Sequence, residues 1–320
     1  MQAGSSDTPS RLARRRRRVV AWAALAALAL AGAAATLFVA RPLAVFEWLG
    51  RAGLRSGGFE RRQVAAPRGR LTFFRAGQGP TLLLLHGAND QAGAWYRIAP
   101  ALARERRVLI PDLPGHGESA PAAGPLAVTD LLAGVDAVLA AEAPGERVTV
   151  VGNSLGGFLA LLLAERHPER VAHVVLVNGA AVTTGGGQVE LLPKTRDEAR
   201  AALAKLTAPG APAPPGFVLD DLVRRGPGSP LARLLQSPVA ELALDGRLAE
   251  IRTPVSLIWG EADQLLPASY ARALQAQLPL ARLTPLPACG HIPQRECPER
   301  FLAALEAALA QPPALPAEEE

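Results

Sequence analysis

The sequence predicts an α/β protein built on a doubly wound, mostly parallel sheet. Short apolar runs alternate with helical segments from residue 64 onward, which is typical of βα units. The strand runs are also apolar throughout instead of alternating with polar residues, as at residues 81–85, 107–111, 148–151, 172–177 and 254–259. Uninterrupted apolar strands are expected where helices cover both faces of a parallel sheet.

The remaining predicted elements complete this alternation. A strand at 71–75 is separated from the strand at 81–85 by a Gly-Gln-Gly-Pro turn, and a short last strand is predicted at 282–285. Helices are predicted at residues 92–104, 126–141, 158–164, 268–277 and 298–310. We therefore expect one domain over residues 63–320.

One segment interrupts the pattern, at about residues 181–249. It contains three consecutive glycines at 185–187, a proline-rich stretch at 209–215 and only short helical pieces. No strand is expected there. We interpret it as a helical lid inserted over the carboxyl ends of the strands, where it would shape a substrate pocket.

Charge and cysteine content exclude some classes of protein. The chain has 320 residues and a net charge of +5, and residues 1–18 account for all of that charge with six arginines and one aspartate. The rest is neutral, so no nucleic-acid partner is expected. Cys289 and Cys297 lack partners at metal-ligand spacing, so we expect no metal site. No cofactor is expected either. Two unpaired cysteines are expected, with a disulfide as the alternative.

The amino terminus predicts a membrane segment. Residues 19–40 carry no charge, and at about 1.5 Å per residue they would extend roughly 33 Å, enough to cross a bilayer. This length exceeds a secretory apolar region, so an uncleaved signal anchor fits better. Because three alanines at 33–35 resemble a cleavage site, a cleaved and secreted form stays an alternative, as does a buried soluble helix.

The flanking charges predict the orientation of that segment. Five consecutive arginines, 14–18, form a basic tail before it, whereas arginines after it are scattered among glutamates. The positive-inside rule then places the tail in the cytoplasm and the main domain on the outer, extracytoplasmic side. Residues 41–62 are expected to be a linker, with a short interfacial helix near 43–49 that places Phe46 and Trp48 at headgroup level.

The strongest chemical motif is Gly-Asn-Ser-Leu-Gly-Gly at residues 152–157. It follows the strand run 148–151 and passes directly into the helix 158–164. Strand, sharp turn and helix form the context of a nucleophile elbow, in which Ser154 would be exposed at the tip. The alternative is a glycine-rich turn without chemistry.

A serine hydroxyl needs a base, and the base needs an acid to orient it. Among five histidines, His291 lies on a tight loop between the last strand and the last helix, from which it can reach the end of a central strand. Glu261 and Asp263 follow the strand at 254–259, and we select Asp263 because it lies deeper in the turn. Its alternative role is to cap the helix at residue 268.

An oxyanion needs two backbone donors. The N–H of Leu155, next to the nucleophile, is the first candidate. The second is the N–H of Ala88, in the loop after the strand at 81–85.

These motifs resemble those of the α/β-hydrolase superfamily from about residue 63 to 312. They are His86-Gly87, Asp-Leu-Pro-Gly-His-Gly-Glu-Ser at 112–119, the elbow, Trp-Gly-Glu-Ala-Asp at 259–263 and Gly-His-Ile-Pro at 290–293. The order Ser, Asp, His is that of the superfamily. Within it the chain is similar to membrane-anchored bacterial monoacylglycerol-type lipases and esterases, and to meta-cleavage-product hydrolases.

The resemblance implies a carboxylic ester hydrolase that acts through an acyl-enzyme on a small-molecule or lipid ester. A C–C bond hydrolase of the meta-cleavage type, with the same three residues, is the alternative. A non-catalytic binding protein with this fold is a second alternative. Haloalkane dehalogenase and epoxide hydrolase chemistry is disfavoured, because both need an aspartate where Ser154 stands. The oligomeric state stays open.

Overall fold

The fold is organised around one eight-stranded sheet in a computed structural model that describes residues 8–187, 189–238 and 243–313. The strands are β1 (Glu60–Ala66), β2 (Gly69–Ala76), β3 (Thr81–Leu85), β4 (Arg107–Pro111), β5 (Val148–Asn153), β6 (Val171–Val177), β7 (Val255–Gly260) and β8 (Ala281–Leu286). Their spatial order is β1-β2-β4-β3-β5-β6-β7-β8. β2 pairs antiparallel with β1 and β4, and all other neighbours are parallel.

Helices cover both faces of this sheet, as the apolar strand runs predict. The helices are α1 (Thr8–Ala40), α2 (Pro42–Ser56), α3 (Ala99–Leu102), α4 (Val128–Glu142), α5 (Leu155–Arg166), α6 (Arg196–Leu206), α7 (Gly216–Arg225), α8 (Pro230–Leu234), α9 (Ala268–Gln277), α10 (Pro293–Glu296) and α11 (Pro298–Ala310). One apolar cluster joins α4, α5 and α9 to the sheet. A second joins α2, α3 and α11 to its other face. Every residue of β3 and β7 is buried.

The helix predicted at residues 92–104 is broken in two. A 3₁₀ turn, Ala92–Trp95, precedes the four-residue α3. Pro100 lies in the first turn of α3, and because it lacks an N–H it cannot continue a helix that began before it. The Gln91 side chain accepts the Gly93 N–H and so begins a separate turn.

Regular structure also occupies residues 41–62, which were expected to be a linker. α2 extends well beyond the short helix predicted there, and β1 begins at Glu60. β1 is an edge strand with mostly exposed polar residues, so it lacks the apolar run by which the other strands are recognised.

α2 packs tightly on the domain through a face of small residues. A Cβ on Gly50 would lie 2.9 Å from the carbonyl oxygen of Gly93, so the two backbones meet in direct contact. Leu54 on the same face is fully buried. Nearer the start of α2, Phe46, Trp48 and Leu49 are about half exposed. α2 is therefore part of the domain and presents an aromatic outer surface.

α1 is the candidate membrane span. Residues Ala13–Ala40 are long and apolar enough to cross a bilayer, and none of their most apolar window is buried by the rest of the protein. A signal sequence near the amino terminus has the same properties. The helix begins at Thr8, so described residues of the expected basic tail are helical, while residues 1–7 lie outside the described part of the chain.

The expected lid contains α6, α7 and α8. Within its described residues, 181–187, 189–238 and 243–249, the segment has no strand. Arg233 of α8 is nearly buried and donates to the carbonyl oxygens of Gly124 at 2.7 Å and Pro121 at 2.8 Å. The Leu231 N–H donates to Asn89 Oδ1 at 2.9 Å. These bonds hold the lid against loops that follow β3 and β4, at the carboxyl edge of the sheet.

The two cysteines form a disulfide, so the expectation of unpaired thiols is wrong. The Cα atoms of Cys289 and Cys297 are 6.1 Å apart and their sulfurs are bonded. Sequence spacing does not report this distance. It follows from the turn after β8, which brings the chain back to the start of α11.

Candidate active site

Ser154 lies at a sharp turn between β5 and α5, at the carboxyl edge of the sheet. Its φ is +53° and its ψ −116°, in a region that costs a residue other than glycine on the order of 1–3 kcal/mol. The turn is held by neighbouring backbone. The Ser154 N–H donates to Val177 O at 3.1 Å, and Ser154 O accepts the Gly157 N–H at 3.0 Å.

Glycines on both sides make this turn sterically feasible. A Cβ on Gly152 would lie 2.1 Å from Gly156 O, and a Cβ on Gly156 would lie 2.3 Å from Leu85 O. Neither distance is compatible with a side chain, because the obstructing atoms are backbone. The two glycines of the motif therefore allow α5 to start directly over β3 and β5 with Ser154 at its tip.

His291 and Asp263 form a buried pair on neighbouring loops. Nδ1 of His291 lies 2.7 Å from Oδ2 of Asp263, and both side chains are almost fully buried. The other carboxylate oxygen, Oδ1, accepts the N–H groups of Leu265 at 2.8 Å and Leu266 at 3.0 Å. The carboxylate is thus held in one orientation and presents Oδ2 to the imidazole. Glu261, the other acid of that loop, is exposed.

Two asparagines that sequence reasoning did not select hold these groups in place. Asn178 donates from Nδ2 to Oδ2 of Asp263 at 2.8 Å and accepts the Gly260 N–H at 2.9 Å. Asn153, next to Ser154, donates from Nδ2 to the His291 carbonyl at 3.0 Å. Asn153 is the last residue of β5 and Asn178 directly follows β6, and a polar residue at the carboxyl end of a parallel strand is the signal that could have identified them.

The two predicted oxyanion donors are the N–H groups of Ala88 and Leu155. A Cβ on Gly87 would lie 3.3 Å from Ser154 Cβ, so the loop that continues into Ala88 passes close to Ser154. Leu155 is the first residue of α5, and its N–H belongs to the unpaired first turn of that helix. Over the described parts of the chain, neither the Ala88 nor the Leu155 N–H donates a hydrogen bond.

The other buried histidines have structural partners. His86 accepts the Leu113 N–H at Nε2 (3.0 Å) and lies 2.8 Å from Gly87 O at Nδ1, and burial lowers its pKa to about 4. Burial likewise lowers the pKa of His116 to about 3 and that of His173 to about 4. His167, which follows α5, is half-buried and lies 3.6 Å from the exposed Glu169 carboxylate. Among the histidines and carboxylates that the structure describes, only His291 pairs with a buried carboxylate, that of Asp263.

The strand order, the elbow and the chain order of these side chains define a known family. Residues 82–304 match its sequence pattern. The chain belongs to the alpha/beta hydrolase family. This family contains enzymes of several reaction types on one scaffold, so membership alone does not define the bond that is cleaved.

Relatives and solved structures of the family are similar to this hydrolase along most of its length. A pimeloyl-[acyl-carrier protein] methyl ester esterase of Aromatoleum aromaticum is 36% identical over 248 residues, 69% of this chain and 94% of the relative. A 2-hydroxy-6-oxo-6-phenylhexa-2,4-dienoate hydrolase of Burkholderia cepacia is 30% identical over 251 residues, 71% and 86% of the two chains. A membrane phospholipase A, a novel bacterial virulence factor, has a crystal structure that resembles this one with a TM-score of 0.71. The two sequences are 26% identical, and the match covers 92% of this chain and 98% of that one.

Proposed function

We propose that this protein is a carboxylic ester hydrolase in which Ser154, His291 and Asp263 form the catalytic triad. The observation that carries the proposal is the buried pair of His291 and Asp263, 2.7 Å apart, on loops at the same sheet edge as the strained serine. Similarity to an ester-cleaving relative supports the ester as the bond.

The chemistry follows from the roles of these groups. Ser154 Oγ attacks the ester carbonyl carbon while Nε2 of His291 takes its proton, and Asp263 stabilises the resulting imidazolium. The N–H groups of Ala88 and Leu155 stabilise the oxyanion. His291 then protonates the leaving alkoxide, which departs as the alcohol and leaves an acyl-enzyme. A water molecule loses its proton to His291 and attacks the acyl carbon, and that proton returns to Ser154 as the acid is released.

Labelling with a fluorophosphonate probe tests this assignment. The probe should modify the wild-type protein at Ser154 and leave a folded Ser154→Ala variant unmodified. A folded wild-type protein that resists the probe would contradict the enzymatic role and favour a non-catalytic binding protein.

The type of substrate is tested with p-nitrophenyl esters of increasing acyl length. We expect turnover of these esters, and a preference for longer chains would indicate a lipid substrate. Similarity to a 2-hydroxy-6-oxo-dienoate hydrolase supports C–C cleavage as the second candidate. Labelling of Ser154 without turnover of any ester would favour that candidate.

We further propose that α1 anchors the enzyme in a membrane, with the hydrolase domain on the outer side. The apolar length of α1, the five arginines before it and the half-exposed Phe46, Trp48 and Leu49 of the adjoining α2 support this location. The disulfide is also consistent with an oxidising compartment.

Membrane extraction and protease accessibility test this location. The full-length protein should resist alkaline extraction, and protease added outside intact spheroplasts should degrade the hydrolase domain. A shortened soluble form would indicate cleavage and secretion. Protection of the domain until the cells are lysed would contradict the orientation.

A further inference from the structure

The loop that carries His291 is fixed by three consecutive backbone donors. The Gly290 N–H donates to Glu296 Oε2 at 3.2 Å, and the Ile292 N–H donates to Glu296 Oε1 at 3.0 Å. Between them, the His291 N–H donates to the Leu206 carbonyl at 2.8 Å. One carboxylate thus holds the residues on both sides of the candidate base.

The same carboxylate reaches the lid. Oε2 of Glu296 also accepts the Ala208 N–H at 2.7 Å, and Leu206 is the last residue of α6. Gly290 permits this close approach, because a Cβ there would lie 2.7 Å from Glu296 Oε2 and 2.5 Å from Leu206 O. Glu296 therefore connects the end of α6 to the loop of His291.

An ionised carboxylate at residue 296 accepts these three N–H groups more strongly than a neutral side chain would. Hydrogen bonds to a charged acceptor are about twice as strong as those between neutral groups. Glu296 is partly shielded from solvent, and its two oxygens accept three N–H groups. A glutamine would place an NH₂ group against at least one of these donors, so the loop would have to shift.

We propose that Glu296 is a positioning residue, which sets the place of His291 relative to Ser154 and couples it to the base of the lid. The inference rests on the proposed function, because it concerns the geometry of the same triad. Glu296 contacts neither His291's imidazole nor the reacting atoms. Its effect is transmitted through the backbone of Gly290 and Ile292.

The test is Glu296→Gln, with Glu306→Gln as its matched control on an exposed position of α11. A fluorophosphonate titration counts active sites, so that kcat refers to folded enzyme only. A misplacement near 1 Å reduces catalysis by up to about 10²-fold. We expect Glu296→Gln to lower kcat per active site about 10- to 100-fold with KM within about twofold, and to slow phosphonylation similarly. Glu306→Gln should match the wild type.

The kinetic and labelling results distinguish a failure of the Glu296 role from a failure of the proposed function. A per-site kcat within twofold of wild type, or a raised KM with kcat unchanged, would overturn the positioning role while leaving Ser154 labelling and the proposed function intact. If wild-type protein itself is not labelled, the proposed function fails and this inference fails with it. Should Glu296→Gln not fold, Glu296→Asp serves instead. It keeps the charge but is one methylene shorter, so it should lower kcat by a smaller factor, and wild-type kcat in that variant would contradict the role.

Discussion

Asp263 and Glu261 are two residues apart, yet their surroundings differ sharply. Asp263 is buried and accepts hydrogen bonds from His291, Asn178 and two backbone N–H groups. Glu261 is exposed, and a carboxylate in water has little influence on a buried imidazole. Burial and fixed donors, rather than the presence of an acid, distinguish the candidate orienting group.

Exchanging each acid for its amide tests this difference. Asp263→Asn should lower kcat by about 10³–10⁴-fold, because an amide favours the wrong imidazole tautomer and does not stabilise the imidazolium. Glu261→Gln should change kcat less than twofold. Steady-state kinetics on one p-nitrophenyl ester, with melting curves to verify folding, make the comparison. Equal losses in the two variants would contradict the role of Asp263 as the acid that orients His291.

A disulfide joins the turn after β8 to the start of α11, close to the candidate site. The loop from β8 to α11 is closed by the Cys289–Cys297 disulfide, with a sequence separation of 8. The bond restricts the unfolded chain more than the folded one, in which the loop is already closed.

Removing the disulfide should therefore destabilise the protein. For so short a loop the chain-entropy model gives a loss of about 2–3 kcal/mol in the free energy of unfolding. The double variant Cys289→Ser, Cys297→Ser should melt at a lower temperature than the oxidised wild type. Wild type treated with a reductant should approach the melting temperature of the variant. Equal melting temperatures for oxidised wild type and variant would contradict a stabilising disulfide.

The attachment of α2 provides a second prediction at the level of elements. Gly50→Ala places a Cβ 2.9 Å from Gly93 O, so α2 must move away from the 3₁₀ turn. Gly32→Ala in α1 is the matched control, because a Cβ there meets no atom within 4 Å. Each change should stabilise its helix by about 0.5–1 kcal/mol, because alanine favours the helical backbone more than glycine does. Only Gly50→Ala should lower the melting temperature of the protein and increase proteolysis at residues 57–59. A stabilised Gly50→Ala variant would mean that α2 is loosely docked.

At the scale of the whole molecule, buried titratable groups outside the site make stability depend on pH. Burial lowers the pKa values of His86 and His173 to about 4 and that of His116 to about 3. Each is neutral in the folded protein and takes up a proton on unfolding below about pH 6.5, so each favours unfolding as the pH falls. Asp112 acts in the opposite direction, because burial raises its pKa to about 6. Its contribution to stability is present at low pH and is lost as the pH rises from about 4 to 6.

The three histidines outweigh the single aspartate, so stability should fall between pH 7 and pH 4. The free energy of unfolding, measured by chemical denaturation at several pH values, should decrease with falling pH over this window. The variant His173→Gln should reduce the slope by up to about 1.4 kcal/mol per pH unit, the contribution of one proton. His167→Gln, at a half-buried position beside Glu169, serves as the comparison variant and should reduce the slope less than His173→Gln does. A slope that His173→Gln does not reduce would contradict the neutral state of His173.

The sequence by itself determined the features of this protein that depend on residues close together in the chain. Apolar strand runs alternating with helices predicted the doubly wound sheet, and the strand–turn–helix context of Ser154 predicted the elbow, because both depend on neighbouring residues. The tertiary structure decided the disulfide, the docking of α2, and the contacts of Asn153, Asn178 and Glu296. The bonds from Asn178 to Asp263 and from Asn153 to His291 join residues 85 and 138 positions apart. Such contacts depend on where loops meet at the sheet edge, and only the packing of the whole chain brings those loops together.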